Sequence, residues 1–222
     1  MMTNLFSSFD PATSMYLSMN WLSSILGIMI IPSSFWIMPN RMSIMFNKIS
    51  SSLTKEYNML LNSKSSNMNM LLISLFMLIM FNNLMGLLPY IFTSSSHISF
   101  TLTMALPMWM GIMIYGWANK TQKMFAHMIP NGVPPLLMPF MVIIETISNL
   151  IRPGSLAVRL TANMIAGHLF MSMLGNNMPN TNIIMMMILS LQMVLMLFET
   201  AVSIIQAYVF STLMTLYTSE VN

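Results

Sequence analysis

Apolar residues along this chain occur in five long runs that are separated by short polar stretches. Each run can cross a bilayer as a helix, because a span needs about 20 consecutive apolar residues. The runs cover about 16–38, 70–92, 98–118, 136–174 and 183–218. The pattern predicts an all-α integral membrane protein with five membrane-crossing helices, in which residues 1–222 form a single membrane domain.

The stretch 40–69 differs from these runs because it holds half of the Lys and Arg residues of the chain. Its apolar residues recur near helical spacing, which predicts an amphipathic helix lying on the membrane surface. These apolar positions are Ile44, Met45, Ile49, Leu53, Tyr57 and Leu60. A second basic segment, Lys120 and Lys123, follows the third run. The positive-inside rule places both basic segments inside, the N-terminus outside and, after five crossings, the C-terminus inside.

The last two runs are too long for simple spans. At about 1.5 Å per residue, helices over 136–174 and 183–218 would measure about 58 and 54 Å, against a hydrocarbon core of about 30 Å. Each run could consist of several short re-entrant pieces. Alternatively, each run could be one long, strongly tilted helix, and the two helices would pair as a hairpin. Pro139 and Pro153 allow kinks. The tilted hairpin is favoured because no polar connector interrupts either run.

Composition supports a membrane location. The chain is 56% hydrophobic and 6% charged, with a mean hydropathy of +0.72, so it lacks the charge to cover a water-facing surface. It has no cysteine for thiolate metal sites, no Gly-rich phosphate loop and no basic patch of the kind that binds nucleic acid. We therefore expect no cofactor, no metal, no direct nucleotide binding and no nucleic acid partner. The 32 methionines replace Leu and Ile as apolar filler, a bias typical of an organelle-encoded protein.

Ionisable residues are concentrated in the last two runs. An ionisable side chain in a span costs about 2.5–3.5 kcal/mol and is a functional candidate by default. The runs 70–92 and 98–118 contain none, whereas the last two contain five. These are Glu145, Arg152, Arg159, His168 and Glu199.

Helical geometry separates two polar faces on the run 136–174. At about 100° per residue, four small or polar residues fall within about 60° of Arg159, and small residues let another helix approach closely. They are Ser155, Ala162, Asn163 and Ala166. His168 lies about 180° away by the same geometry, on the side of Thr161, Ile165 and Ser172.

The last run has a polar stripe of its own, with Gln192, Glu199 and Gln206 at i, i+7 and i+14. If the hairpin folds back, Glu199 approaches His168 or Glu145 across a polar cavity. A guanidinium stays charged in proteins, so Arg159 cannot relay protons. Imidazole and carboxyl groups can gain and lose protons, which suits His168 and Glu199 to a proton wire.

Structural interpretations compete with these functional ones. His168 can be a hydrogen-bonded structural residue, and Glu145 can form a structural pair with Arg152. Asn82 and Asn83 are expected to hydrogen-bond between helices. His97 and His127 fall in predicted loops and are expected to be solvated.

One segment resembles a known family signature. The run Ser155-Leu-Ala-Val-Arg-Leu-Thr-Ala-Asn-Met-Ile-Ala-Gly-His168 is similar to that of subunit a of F-type ATP synthases. The resemblance extends over essentially the whole chain, through Ile144-Glu145, Arg152-Pro153-Gly154, Glu199 and Gln206. The two chain ends look like insect or related arthropod mitochondrial versions.

The resemblance implies a role for each candidate. Subunit a is the stator against which a ring of c subunits turns, and Arg159 matches the arginine that faces the ring carboxylates. His168 and Glu199 match half-channel residues, and Glu145, Asn163 and Gln206 match further polar positions along the path. The implied partners are the c-subunit ring, other Fo and peripheral-stalk subunits and membrane lipid. The implied location is the mitochondrial inner membrane, with the N-terminus in the intermembrane space and the C-terminus in the matrix, and no independent active site is expected.

Two other classes of membrane protein agree less well with this sequence. A secondary transporter or antiporter-like subunit predicts inverted repeats with broken helices at matching positions, and the two halves of this chain differ in length and charge. A purely structural membrane anchor does not explain five ionisable residues in the last two runs.

Overall fold

The computed structural model describes residues 4–14, 17–32, 37–61, 66–129, 134–176 and 182–221. Over these ranges every regular element is a helix, which confirms the all-α prediction. The α-helices are α1 Ser23–Met29, α2 Arg41–Leu60, α3 Ser66–Gly86, α4 Ile98–Asn119, α5 Thr121–His127, α6 Met138–Asn176 and α7 Asn182–Val221. Short 3-10 turns occupy Leu5–Phe9, Met19–Leu22 and Ser94–Ser96.

Among the described residues, four helices are long and apolar enough to cross a membrane: Met68–Gly86, Ile98–Asn119, Met138–Asn176 and Ile183–Val221. Within the described residues of the predicted first span, 17–32 and 37–38, helix is found over Met19–Met29, as a four-residue 3-10 turn followed by the seven-residue α1. Residues before a proline disfavour the helical conformation, so Pro32 helps to end this helix. The count of five spans is therefore not confirmed.

The two long runs are continuous helices, of 39 residues in α6 and 40 residues in α7. Pro153 lies inside α6, which continues to Asn176. The alternative of short re-entrant pieces is therefore excluded for the described part of both runs. The helices are about twice as long as a perpendicular span requires, since each residue rises about 1.5 Å.

The core lies where α3 packs along α7 and α4 packs along α6, while α6 and α7 also contact each other. Apolar side chains from α3, α6 and α7 interdigitate in one cluster. Among its members are Leu72, Phe76, Ile79, Leu156, Ala157, Leu160, Ala207, Phe210 and Met214. This packing places the polar stripe of α7 beside α6, and so positions the candidate site.

Helix α2 divides its apolar residues between two faces. Leu53 and Tyr57 are buried against the protein, and the Tyr57 hydroxyl donates a 2.7 Å hydrogen bond to Ser211 Oγ on α7. Burial raises the pKa of Tyr57 above its ordinary value, against the opposing effect of the Ser211 bond. The other predicted apolar positions of α2 are exposed: Ile44, Met45, Ile49 and Leu60. That the exposed face lies on a membrane surface stays a prediction.

Candidate functional site

Arg159 lies on a face of α6 that no described residue covers. Arg159 itself is exposed, and so are Ser155, Ala162, Asn163 and Ala166, the residues that helical spacing places around it. The opposite side of the same segment is buried, through Ala157, Thr161 and Met164. A permanent cation is thus presented outward from a surface of small side chains, where another helix can approach closely.

His168 lies on the protected side of α6, as helical spacing predicts. Its ring makes a T-shaped contact with the Phe9 ring, at 6.1 Å between centroids and with an angle of 85° between planes. The main chain of Gly86 lies within hydrogen-bonding reach of the ring. The Nε2 atom is buried and has no hydrogen-bond partner among the described residues. A buried polar atom without a partner is costly, so this atom requires water or a transient partner.

Glu199 reaches α6 from the facing helix α7. Its carboxylate packs against Gly167, the neighbour of His168, and its Oε1 atom is also buried without a partner in the described chain. His168 and Glu199 line one cavity of about 910 Å³ together with Gln192. Its other polar lining residues are Ser7, Ser8, Asp10, Asn20 and Thr93. The structure thus brings together His168 and the α7 stripe, in a space large and polar enough for water.

A second cavity of about 500 Å³ lies between α6 and α7, lined by Asn83, Asn163, Ser203 and Gln206. Asn163 Nδ2 donates a 3.0 Å hydrogen bond to Gln206 Oε1 across the two helices. Glu199 lines this cavity as well as the first. One carboxylate therefore borders both cavities, and the second of them reaches Asn163, one turn from Arg159.

Glu145 lies elsewhere. It forms an ion pair with Arg152, with 3.5 Å between the two charged groups. Arg152 also forms an ion pair of 2.7 Å with Glu220, which lies in the last turn of α7. The Arg152 guanidinium carbon lies 5.1 Å from the centroid of the Tyr217 ring. The interpretation of Glu145 and Arg152 as an ion pair is confirmed. Glu145 lines neither cavity. Of the two alternatives, Glu199 therefore shares a cavity with His168 and not with Glu145.

Three sequence interpretations need correction. His97 is not a solvated loop residue, since its Nε2 atom is 2.9 Å from the main-chain oxygen of Phe9 and its ring is stacked against Phe92. His127 is exposed as expected, but it ends α5. The Asn83 side chain is fully buried, yet neither of its polar atoms is hydrogen-bonded within the described chain. It lines the second cavity instead of joining two helices.

Sequence reasoning did not place Asn83 in the second cavity or Glu220 beside Arg152. Asn83 carries a usable signal, because a polar residue within an otherwise apolar span is costly unless it has a function or a partner. Glu220 carries none, because it lies near the chain end and outside the predicted run. Within residues 4–14, 17–32, 37–61, 66–129, 134–176 and 182–221, no three His, Cys, Asp or Glu side chains form a group able to hold a metal ion.

The fold and the site define a polytopic helical membrane protein with ionisable side chains on two intramembrane helices. The sequence profile of the ATP synthase A chain family matches residues 14–219. The chain is 60% identical to ATP synthase subunit a of Aedes aegypti over 226 aligned residues, and 57% identical to that of Drosophila melanogaster over 224, covering 100% of each chain in both cases. The protein belongs to the ATP synthase A chain family.

Proposed function

We propose that this chain is the proton-conducting stator subunit of the membrane sector of a mitochondrial ATP synthase. Two half-channels would pass protons to and from carboxylates on a ring of c subunits, so that proton flow turns the ring and drives ATP synthesis. The chain would contribute no independent active site. Its proposed partners are the ring, other Fo and peripheral-stalk subunits and membrane lipid.

The observation that carries this proposal is the separation of charge on α6. Arg159 is exposed on the small-residue face, whereas His168 is half-buried beside a polar cavity on the other side. A carboxylate on a passing helix can approach a flat face of this kind, and a fixed cation there favours its ionised form. Arg159 would act as a barrier between two proton paths, because a guanidinium does not release its proton.

The cavities support an uptake path. Protons would enter the cavity that holds His168 and Gln192, pass to Glu199, and continue through the cavity that holds Asn163 and Gln206 to the Arg159 face. Glu199 borders both cavities, which suits a group that accepts a proton on one side and releases it on the other. Glu145 is proposed to serve the opposite half-channel, since it lies apart from both cavities.

The proposed location is the mitochondrial inner membrane, with the N-terminus in the intermembrane space and the C-terminus in the matrix. In this orientation α6 and α7 are strongly tilted, because helices of 39 and 40 residues exceed the hydrocarbon thickness by about twofold. A membrane potential of 100 mV supplies about 2.3 kcal/mol per charge, so several protons are needed for each ATP.

Substitution of Arg159 tests the proposal. In the reconstituted holoenzyme, Arg159→Lys and Arg159→Ala should abolish ATP-driven proton pumping, because a Lys lacks the planar fork and an Ala lacks the charge. Arg41→Ala, which removes an exposed cation from α2, is the matched control and should pump normally. Coupled pumping at the normal rate in either Arg159 variant, in an assembled complex, would overturn the proposal.

A further inference from the structure

His168 is in contact with a segment far away in the sequence, the 3-10 turn Leu5–Phe9. The Phe9 ring packs on the imidazole in a T-shaped contact, and the turn lies against α6. Ser7, Ser8 and Asp10 of the same segment line the cavity that holds His168 and Glu199. The orientation of His168 therefore depends on where this turn is held.

The turn has little of its own to hold it. It is five residues long, none of them is buried, and its Ser7 and Ser8 hydroxyls bond only within the segment. Two side chains from elsewhere fix its end. His97 binds the main-chain oxygen of Phe9 at 2.9 Å, and Asn20 Nδ2 donates to the oxygen of Asp10 at 3.2 Å.

His97 is in turn held firmly. Its ring is stacked on Phe92 at 5.2 Å between centroids and meets Trp21 at the same distance. It follows the buried turn Ser94–Ser96, in which the Ser96 hydroxyl donates to the main-chain oxygen of Thr93 at 2.7 Å. This turn packs against both α3 and α6. Because a carbonyl oxygen only accepts hydrogen bonds, His97 must carry its proton on Nε2 to bind Phe9.

We infer that His97 is a positioning residue for proton uptake, which acts through Phe9 to hold the His168 ring beside the cavity shared with Glu199. The inference rests on the function proposed for His168. His97 touches neither of the two proton-carrying side chains. Its donor fixes the main chain of Phe9, and the Phe9 ring excludes other orientations of the His168 ring.

Two substitutions of His97 separate its hydrogen bond from its packing. His97→Phe keeps an aromatic ring against Phe92 and Trp21 but removes the donor, whereas His97→Gln keeps an N–H donor and removes the ring. In the reconstituted holoenzyme we expect His97→Phe to lower ATP-driven proton pumping about tenfold. This is the decrease in rate expected if the activation barrier rises by the contribution of one hydrogen bond between uncharged groups. His97→Gln should retain most of the rate, and His127→Phe, on an exposed position of α5, is the matched control.

Phe9→Ala provides a second, independent variant because it leaves every bond of His97 in place. It should lower pumping as His97→Phe does, and the double variant should be no slower than either single one, since both act at the same contact. A direct readout is the labelling of Met196→Cys, a half-buried cavity-lining position in a chain that has no cysteine of its own. Its reaction with a water-soluble maleimide should be several-fold faster when His97→Phe or Phe9→Ala is added.

Two results would overturn the inference: normal pumping in both His97→Phe and Phe9→Ala, or equal losses in His97→Phe and His97→Gln with an unchanged labelling rate. If His97→Phe fails to assemble, Phe9→Ala and His97→Gln still decide the question. His168→Ala distinguishes this inference from the proposed function. Normal pumping in His168→Ala removes the function proposed for His168, whereas loss of pumping in His168→Ala alone removes only the role of His97.

Discussion

The carboxylate of Glu199 lies directly against the Cα of Gly167. A Cβ atom at position 167 would come within 2.7 Å of both Cδ and Oε1 of Glu199, closer than side chains approach each other in folded proteins. Glycine at this position therefore lets a carboxylate on α7 reach the backbone of α6, one residue from His168. The contact explains how two groups that are 31 positions apart in sequence share one cavity.

Gly167→Ala is expected to displace the Glu199 carboxylate, because the new methyl group needs the space that the carboxylate occupies. Overpacking of this kind costs about 1–3 kcal/mol, and a matching rise in the transfer barrier slows proton pumping about tenfold or more. Pumping by the reconstituted complex measures the loss. Glu199→Asp, one methylene shorter, should restore part of the rate in the Gly167→Ala background.

The control for this prediction is Gly154→Ala on the same helix. A Cβ at Gly154 would meet nothing within 4 Å, so this variant should pump normally. Equal pumping by Gly167→Ala and Gly154→Ala would mean that the close contact does not matter.

Asn163 and Gln206 should be energetically coupled. Their cross-helix hydrogen bond of 3.0 Å is expected to contribute about 0.5–1.5 kcal/mol. In a double-mutant cycle of pumping rates, Asn163→Ala and Gln206→Ala together should therefore differ from the product of the single effects by about three- to tenfold. Thr146→Ala combined with Gln206→Ala is the matched control, and its effects should multiply. A cycle without coupling would contradict the bond.

Arg152 is expected to fasten the end of α7 to α6. Arg152→Gln removes both ion pairs and leaves Glu145 and Glu220 without their cation. The groups are partly exposed, so the stability change should be about 1 kcal/mol or less. The local effect should be clearer: amide hydrogen exchange in residues 214–221 should accelerate several-fold. Arg152→Lys should give an intermediate rate, because it keeps the charge without the planar fork.

Lys48→Gln, which removes a cation on the exposed side of α2, is the appropriate control for charge alone. Exchange in 214–221 that is unchanged in Arg152→Gln would show that the ion pairs do not hold this end of α7.

Tyr57→Phe should loosen α2 from α7. The variant deletes the 2.7 Å hydrogen bond to Ser211, which is expected to lower the free energy of unfolding by about 1 kcal/mol. Thermal denaturation of the assembled complex measures this change. Ser211 still donates to the main-chain oxygen of Tyr208 in the variant, so the loss stays small.

The same residue predicts an alkaline effect. Burial raises the pKa of Tyr57 above its ordinary value of 10.0, so above pH 10 the unfolded chain releases this proton more readily than the folded one. The contribution of Tyr57 to stability is therefore fully present below pH 10 and declines as pH rises through the folded pKa. Tyr57→Phe should remove that part of the alkaline decline. An identical decline in both proteins would exclude Tyr57 as its source.

The sequence by itself determined the features that depend on one helix. Continuous apolar runs without polar connectors predict α6 and α7 as single long helices, and the fixed rotation per residue places His168 opposite Arg159. The exposed small-residue face around Arg159 follows from the same geometry. The first run is not confirmed as a span, because length and hydropathy do not report where a helix ends, and its described helix stops at Met29.

Only the tertiary structure decided which side chains meet across helices. The contact of Glu199 with Gly167, the attachment of Glu220 to Arg152 and the bond from His97 to Phe9 all join residues distant in sequence. Such contacts depend on the axial register and rotation of one helix against another, which result from the packing of the whole core. Spacing along a single helix carries no information about this register or rotation. For that reason the sequence predicts His97 to be an ordinary loop residue, and only its contacts with Phe9 and Phe92 show otherwise.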